Sequence, residues 1–266
     1  MGELQIGVTG ADGFIGSHFI SRLKKNKISH KVFIEGGDLD KFLKDVYVLV
    51  HLAGRVLPPE KLLFASNVEF TKDLLNRSLS CDIKKIIFLS TFAVHANNDS
   101  PTDIYAQTKL QAEKLVKNWG EKHAKKTIIL RPFNVYGPKN KKGLVYQFYV
   151  SIKDKGIVNI FGDGSVKRDL LFVDDLVTAI YKALDVSENI DLDLLYGTEL
   201  SILEVVDTFK KIMDREFDVV YKDEDLDKVK NIKHDSYQSE NLLNWEARTT
   251  FEEGLKKTVS WYEKNL

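Results

Sequence analysis

The sequence predicts an α/β fold in which a doubly wound parallel sheet carries a smaller C-terminal α/β lobe. Short β-branched runs alternate with helix-length amphipathic stretches through the first half of the chain, and a turn punctuated by glycines stands where the first run gives way to the first helix. Beyond Pro132 the alternation shortens and a Lys/Asn/Gly loop, Pro138 to Gly143, intervenes. Strands separated by helices pair in parallel through right-handed crossovers, with both faces of the sheet covered. The expected division is residues 1–132 for the sheet domain and 133–266 for the second lobe, interleaved with the first.

Leu4 to Thr9 is short, apolar and β-branched, and reads as a strand. From Phe14 to Lys25, the residues Phe14, Ile15, Phe19, Ile20 and Leu23 fall on one helical stripe. Further strands are expected at Val32 to Glu35, Tyr47 to Leu52, Ile86 to Ser90 and Thr127 to Leu130, with helices around Leu62 to Leu79 and Tyr105 to Lys122. The stretch from Glu35 to Tyr47 is too short for a full strand-helix-strand excursion, so this edge of the sheet is expected to be trimmed. In the second lobe the pattern predicts helices at Leu144 to Lys155, Val173 to Leu184 and Ile202 to Met213. Strands are expected at Val158 to Phe161 and Leu192 to Tyr196, and terminal helices from Ser236.

With 43% apolar and 29% charged side chains over 266 residues, the composition is that of an ordinary globular protein. Lys plus Arg equals Asp plus Glu, 39 of each, so no net charge draws the molecule to nucleic acid or to a membrane surface. Cys81 is the only cysteine, which excludes an internal disulfide and a multi-cysteine zinc cluster and fits a reducing cytoplasm. Met1 to Thr9 runs into the first strand without a basic leader, and no stretch has the apolar length needed to span a bilayer. Asn76-Arg77-Ser78 and Asn98-Asp99-Ser100 match a glycosylation pattern that, without secretion, is a chance match. No His/Asp/Glu cluster has metal-ligand spacing, His51 and His95 included, so no metal site is expected.

Thr9-Gly10-Ala11-Asp12-Gly13-Phe14-Ile15-Gly16 sets its glycines at the junction of the first strand and the first helix. Glycines there let backbone amides approach a pyrophosphate, whose charge is favoured at a helix N-terminus. The turn therefore predicts a Rossmann-type dinucleotide site, with Gly-x-x-Gly-x-x-Gly one residue longer than the usual fingerprint. Glu35 closes the next strand, where a carboxylate accepts hydrogen bonds from an adenosine ribose. Gly36-Gly37-Asp38 follows instead of an Arg or Lys, which leans towards NAD and leaves NADP open.

Tyr105 and Lys109, in Tyr105-Ala106-Gln107-Thr108-Lys109, share one helix face. An ammonium near a phenol favours the phenolate, so the spacing suits a tyrosine acting as general base near neutral pH. It equally describes a half-buried ring beside a solvated cation, and the rest of the chain must separate the two.

With the glycine turn, His51-Leu52-Ala53-Gly54, Ser90-Thr91, Tyr105-x-x-x-Lys109 and Arg131-Pro132-Phe133-Asn134-Val135-Tyr136-Gly137-Pro138 in this order, the chain resembles the extended short-chain dehydrogenase/reductases, specifically their nucleotide-sugar epimerase/dehydratase group. The resemblance continues through Phe161-Gly162-Asp163-Gly164, Arg168-Asp169 and Val173-Asp174-Asp175 to Asn244-Trp245 and Phe251-Glu252-Glu253-Gly254-Leu255. It implies that Thr91 hydrogen-bonds the reacting sugar oxygen, that Tyr105 passes the proton, and that Lys109 holds the nicotinamide ribose and lowers the Tyr105 pKa. It implies a cofactor cradle of Gly10, Gly13, Phe14, Ile15, Gly16, Leu52, Ala53, Gly54, Asn67 and Ser90, together with Glu35, Tyr105 and Lys109. On the substrate side it implies Asn134, following the Arg131 strand where the family contacts the sugar diphosphate. Arg168 would pair with phosphate or ribose oxygens, and Phe161 and Gly162 would border the base. Phe161 and Phe133 read equally as core aromatics, Arg168 as a surface ion-pair residue, and Asp174 and Asp175 as a helix cap and first-turn acid.

Dehydratases of this group carry Asp-Glu directly after the Ser/Thr; here Phe92-Ala93 follows Thr91, which disfavours dehydration. The glutamate that decarboxylases tend to place in this segment is also missing, and His95-Ala96 stands where Tyr-Gly is commoner. The expected activity is that of an NAD(P)-dependent oxidoreductase/epimerase acting at C4 of a nucleotide-diphosphate sugar for polysaccharide biosynthesis. A 4-ketoreductase, or a non-catalytic dinucleotide-binding sensor or scaffold, remains open on the same residues. A homodimer is expected, the helices around Leu62 to Leu79 and Tyr105 to Lys122 pairing with their symmetry mates through Leu62, Leu63 and Leu74.

Overall fold

The computed structural model describes residues 5–95, 103–223 and 241–266. In chain order the elements are β1 (Ile6–Thr9), α1 (Phe14–Lys25), β2 (His30–Phe33), α2 (Leu39–Leu43), β3 (Val48–His51), α3 (Glu60–Phe64), a π-helical turn (Ala65–Glu69), α4 (Phe70–Ser78), β4 (Lys85–Leu89), a 3-10 turn (Phe92–His95), α5 (Ile104–His123) and β5 (Lys126–Pro132). There follow β6 (Val135–Tyr136), α6 (Gly143–Lys155), β7 (Ile157–Phe161), β8 (Lys167–Asp169), β9 (Leu171–Phe172), α7 (Val173–Lys182), β10 (Ile190–Leu194), β11 (Glu199–Ser201), α8 (Ile202–Met213), β12 (Asp218–Lys222) and α9 (Phe251–Asn265). The chain divides into two compact units, one of residues 1–132, 177–194 and 238–245, the other of 133–176, 195–237 and 246–266. Leu4, Ala96, the Asn98-Asp99-Ser100 pattern and the start of the expected terminal helices at Ser236 lie outside the described residues.

The first unit is built on a parallel sheet of six strands in the order β10-β5-β4-β3-β1-β2. β1 and β3 are buried at every residue, as central strands covered on both faces must be. Phe42, Leu43 and Val46 from the α2 segment, Leu74 from α4, Ile86 and Phe88 from β4, and Val116 and Trp119 from α5 form one apolar core. Leu63 and Leu74 join the buried set and leave Leu62, 41% exposed, as the one outward residue of the three leucines expected on a shared surface.

Two elements differ from the sequence reading. β2 stops at Phe33, and Ile34 to Gly37 form a turn closed by the Gly37 amide donating to Ile34 O at 2.9 Å, with Gly36 at φ +80°. Left-handed backbone there suits glycine, so Glu35 belongs to the turn and not to the strand. Only the five-residue α2 precedes β3, which leaves β2 as the sheet edge. The strand expected at Leu192 to Tyr196 is Ile190–Leu194, and it extends the main sheet beside β5. Its residues alternate, Ile190, Leu192 and Leu194 buried and Asp191 and Asp193 partly open. Those two aspartates meet Arg131 of β5. Arg131 Nε and Nη2 donate to the Glu113 carboxylate at 2.8 and 2.7 Å, and Nη2 donates to Asp191 at 3.0 Å.

Among the described residues, the second unit contains three two-stranded pairings and the helices α6, α8 and α9. β6 pairs with β9 and β7 with β12 in parallel, and β8 pairs with β11 antiparallel. Two- and three-residue strands carry too few positions to show a period, so most of these were not foreseen. Capping boxes, Ser201 with Glu204 and Thr250 with Glu253, open α8 and α9.

Replacing Arg131 by Met is expected to lower stability by about 3–5 kcal/mol, because Glu113, 2% exposed, keeps its buried charge without a partner. Urea denaturation checks this; a loss below about 1 kcal/mol would show that the pair is not what secures β5.

Candidate active site

β1 delivers the chain into the glycine turn. Gly10 has φ +69°, and a Cβ there would lie 2.6 Å from Ala53 N, while a Cβ at Gly16 would lie 1.9 Å from Gly10 O. Neither position admits a side chain. α1 begins at Phe14 with Gly13 as N-cap, without a side-chain cap and without an acid in its first turn. Phe14, Ile15 and Gly16 thus open a helix whose dipole favours an anion.

His51, fully buried at the end of β3, ties this turn to the helix opposite. Its Nδ1 lies 2.7 Å from Thr9 Oγ1 and its Nε2 2.9 Å from Thr71 Oγ1 on α4. Burial first, and then the charge of Lys109, push the imidazole down to about 3, so the ring is neutral. Leu52 and Ala53 are held by Thr9: their amides donate to its O at 3.2 Å and its Oγ1 at 3.3 Å. Asn67 sits in the π-helical turn, a device that re-aims a side chain within a helix. The Arg55 amide donates to Asn67 Oδ1 at 2.7 Å, and Asn67 Nδ2 donates to Arg55 O and to Thr108 Oγ1, each at 2.9 Å. Thr108, which sequence reasoning missed, in turn donates to Tyr105 O at 2.8 Å.

Ser90 and Thr91 leave the end of β4. The Ser90 amide donates to Leu130 O at 2.7 Å, while Ser90 Oγ is buried without a hydrogen-bond partner. Thr91 Oγ1 accepts from the Ala93 amide at 3.3 Å, and its side chain acts on the Tyr105 phenol to lower its pKa. Asp103 caps α5 by accepting from the Tyr105 amide at 2.6 Å, which fixes Tyr105 in the first turn. One turn on, Lys109 is 4% exposed, its Nζ 4.1 Å from the centre of the Phe88 ring. Burial brings the amine down to about 7, against the upward pull of Glu113.

The expectation that Lys109 lowers the Tyr105 pKa is corrected here. Burial raises the Tyr105 phenol above its ordinary value, opposed by the Thr91 hydrogen bond and assisted by Asp103. A deeply desolvated amine loses its own charge near neutrality, and the phenol beside it answers to burial. Glu35 lies exposed in the turn after β2 and not at the strand end where a ribose carboxylate was expected. Among the other positions expected to hold the cofactor are three features that suit a dinucleotide: two turn positions that exclude side chains, a helix start without a side-chain acceptor, and a buried Ser90 hydroxyl with an unused hydrogen bond. Among the described residues no group of three or more His, Cys, Asp or Glu could hold a metal ion.

In the second unit, Asn134, Phe161 and Arg168 line one cavity of about 560 Å³ with Lys142, Gln147 and Asn159. Gly162 is not in its wall; its amide donates to Lys222 O at 3.0 Å and joins β7 to β12. Phe161 is 53% exposed and therefore not a core aromatic. Asn134, at φ +36°, donates from Nδ2 to Asp169 O at 3.2 Å. The Asp169 carboxylate accepts the amides of Tyr196 and Gly197 at 2.8 and 2.7 Å, which anchors the neighbour of Arg168. Arg131 is engaged by Glu113 and Asp191 and is not available to a diphosphate. Asp174 and Asp175 lie in the first turn of α7, where Asp175 accepts the Thr249 amide at 2.9 Å. Lys142, Gln147 and Asn159 were missed; Gln147 and Ser151, one turn apart on α6 and both in the cavity wall, were the available signal.

The model of the NAD dependent epimerase/dehydratase family matches residues 6–193. The chain is 27% identical to a UDP-glucuronate 4-epimerase of Thermodesulfobacterium geofontis, over 83% of this chain and 74% of the relative. A UDP-glucose 4-epimerase of Thermotoga maritima, solved with UDP-glucose, superposes with a TM-score of 0.88 at 25% identity, covering 98% of this chain and 99% of that one. A UDP-glucuronic acid 4-epimerase of Bacillus cereus, in complex with UDP-glucuronic acid and NAD, has the same fold, with a TM-score of 0.89 at 23% identity over 98% of this chain and 100% of that one.

The buried ring of His51 has a consequence for acid stability. Its folded pKa of about 3 lies below the ordinary 6.5, so between these values the unfolded chain takes up a proton that the folded chain does not. Its contribution is complete above pH 6.5 and is lost as pH falls towards 3, by up to about 1.4 kcal/mol per pH unit. Urea denaturation at about pH 7 and pH 5 is expected to show a larger loss for the wild type than for His51→Gln. Equal losses would mean that the ring titrates alike in both states.

Proposed function

The chain belongs to the NAD dependent epimerase/dehydratase family, and on that premise we propose that it is an NAD-dependent epimerase acting at C4 of a nucleotide-diphosphate sugar. The observation that carries this reading is the placement of Tyr105 in the first turn of α5 by the Asp103 cap, with the buried Lys109 one turn further along and the Thr91 side chain acting on the phenol. In the proposed reaction the C4 hydroxyl joins the Thr91–Tyr105 pair. The oxidation needs Tyr105 as its phenolate: the phenolate takes the hydroxyl proton as the alcohol becomes a ketone, and the resulting phenol returns that proton when the alcohol is rebuilt. A raised phenol pKa favours the return, and an amine with a pKa of about 7 beside the site supplies a charge that is adjustable near neutrality. The chemistry that bound NAD supplies is reversible acceptance of the C4 hydride. Gly10, Gly13, Phe14, Ile15, Gly16, Leu52, Ala53, Gly54, Asn67 and Ser90 would hold it, in a cofactor domain of residues 1–132.

The second unit supplies the substrate handle. Arg168, Asn134 and Lys142 suit two phosphates, and the exposed face of Phe161 suits a base. The UDP-sugars named for the Thermotoga maritima and Bacillus cereus proteins support a nucleoside diphosphate as that handle. Phe92-Ala93 after Thr91 lacks the acid-base pair that water elimination would need, which favours epimerisation over dehydration. A cytoplasmic setting suited to the lone Cys81, and supply of polysaccharide precursors, belong to the same reading. So does a homodimer; its apolar contact would rest on Leu62 with Val56 and Leu57, all exposed. Among the described residues no helix is long and apolar enough to cross a membrane.

Tyr105→Phe is expected to lower turnover of a UDP-hexose by about 10² or more while NAD affinity stays close to wild type. Turnover near wild type in the folded variant would remove Tyr105 from the chemistry. Arg168→Ala is expected to raise KM for the same substrate without changing NAD affinity, and identical kinetics would refute the phosphate role. Light scattering at micromolar concentration tests the dimer, and a monomer would exclude it.

A further inference from the structure

We infer that His51 is a positioning residue, joining the glycine turn by one directed run of hydrogen bonds to Asn67, whose side chain in turn reaches the helix of Tyr105 and Lys109. The direction follows from counting protons. Thr71 has a single hydroxyl hydrogen and donates it to Asn67 O at 2.7 Å, so at its 2.9 Å contact with His51 it can only accept. The ring proton therefore sits on Nε2. A neutral ring then leaves Nδ1 bare, and Nδ1 accepts from Thr9 Oγ1, which itself accepts the Ala53 amide. The run reads Ala53 amide to Thr9, Thr9 to His51, His51 to Thr71, and Thr71 to the backbone of Asn67.

Each end of this run meets a part of the cofactor wall. Thr9 immediately precedes Gly10, and Ala53 N is the atom that a Cβ at Gly10 would strike. From Asn67 the connection continues through its side chain to Arg55 and Thr108, and from Thr108 to the backbone of Tyr105. Every donor and acceptor in this path is matched, and a fully matched buried network holds one geometry. A protonated ring would donate at both nitrogens and break the sequence at Thr9. The ring is neutral by burial, so the run keeps its direction throughout the working pH range.

This inference rests on the NAD reading above, and its test separates the two. Nitrogen NMR of labelled protein between about pH 5 and 8 is expected to show His51 protonated on Nε2 and bare on Nδ1; a proton on Nδ1 overturns the assignment. His51→Leu fills the volume and cuts the run, and is expected to weaken NAD binding at least about tenfold in the folded protein. His51→Gln, which keeps one donor and one acceptor, should recover much of that loss. Thr71→Val, a milder change that guards against a His51→Leu protein that does not fold, should weaken NAD binding and add little when combined with His51→Leu. A folded His51→Leu or Thr71→Val protein that melts earlier but binds NAD as the wild type does would reduce His51 to a packing role and overturn the inference alone. A wild type that binds no NAD would overturn the cofactor reading and the inference with it.

Discussion

The burial of the Lys109 amine is the constraint around which the first unit is arranged. Moving it from 10.5 to about 7 corresponds to a bias against the charged form on the order of 5 kcal/mol. The surroundings compensate only in part. The Phe88 ring offers a π face, and Glu113 is close enough to act through space but gives both its oxygens to Arg131. The same amine helps to keep His51 neutral. A group so held contributes little to stability, and its cost is met elsewhere in the sheet, whose strands β1 and β3 are buried at every residue. Positions of this kind are where functional groups are found, because a charge poised near neutrality can be switched by whatever binds beside it.

The second unit meets a different requirement. Its strands are short and two of its helices open on capping boxes, so its geometry is set by individual polar contacts more than by a broad sheet. Asp169 shows this: a buried carboxylate that accepts two amides from the segment after β10 while its own carbonyl accepts from Asn134. Arg168 and Asn134 are thereby set by a single neighbour, on a scaffold that can vary in length around them.

Much of this was legible in the sequence where local signals are strong. α1 and α8 span the residues that periodicity indicated, the first because a glycine precedes it and the second because Ser201 and Glu204 form a box. β10 was expected two residues further on, at Leu192 to Tyr196; its Asp191 is bound by Arg131, 60 residues away, and no local pattern says which sheet a short strand joins. The motifs appear in their expected order, but the sign of the Tyr105 shift was not readable from them. Spacing states that two groups are neighbours; the depth at which they lie decides which one keeps its proton. Thr108 was hidden for a similar reason, since a threonine in mid-helix reveals its task only when Asn67 is seen opposite.

The π-helical turn at Ala65–Glu69 bears on how this chain can change in length. Such a turn holds one residue more than a regular helix needs, so a one-residue deletion there would restore an unbroken α-helix and be locally favourable. Yet each residue advances a helix by about 100°, and the deletion would swing Asn67 away from Arg55 and Thr108 or swing buried Leu63 towards solvent. A change of length in this part of the molecule would therefore be accommodated in the loop before the helix and not in the irregular turn.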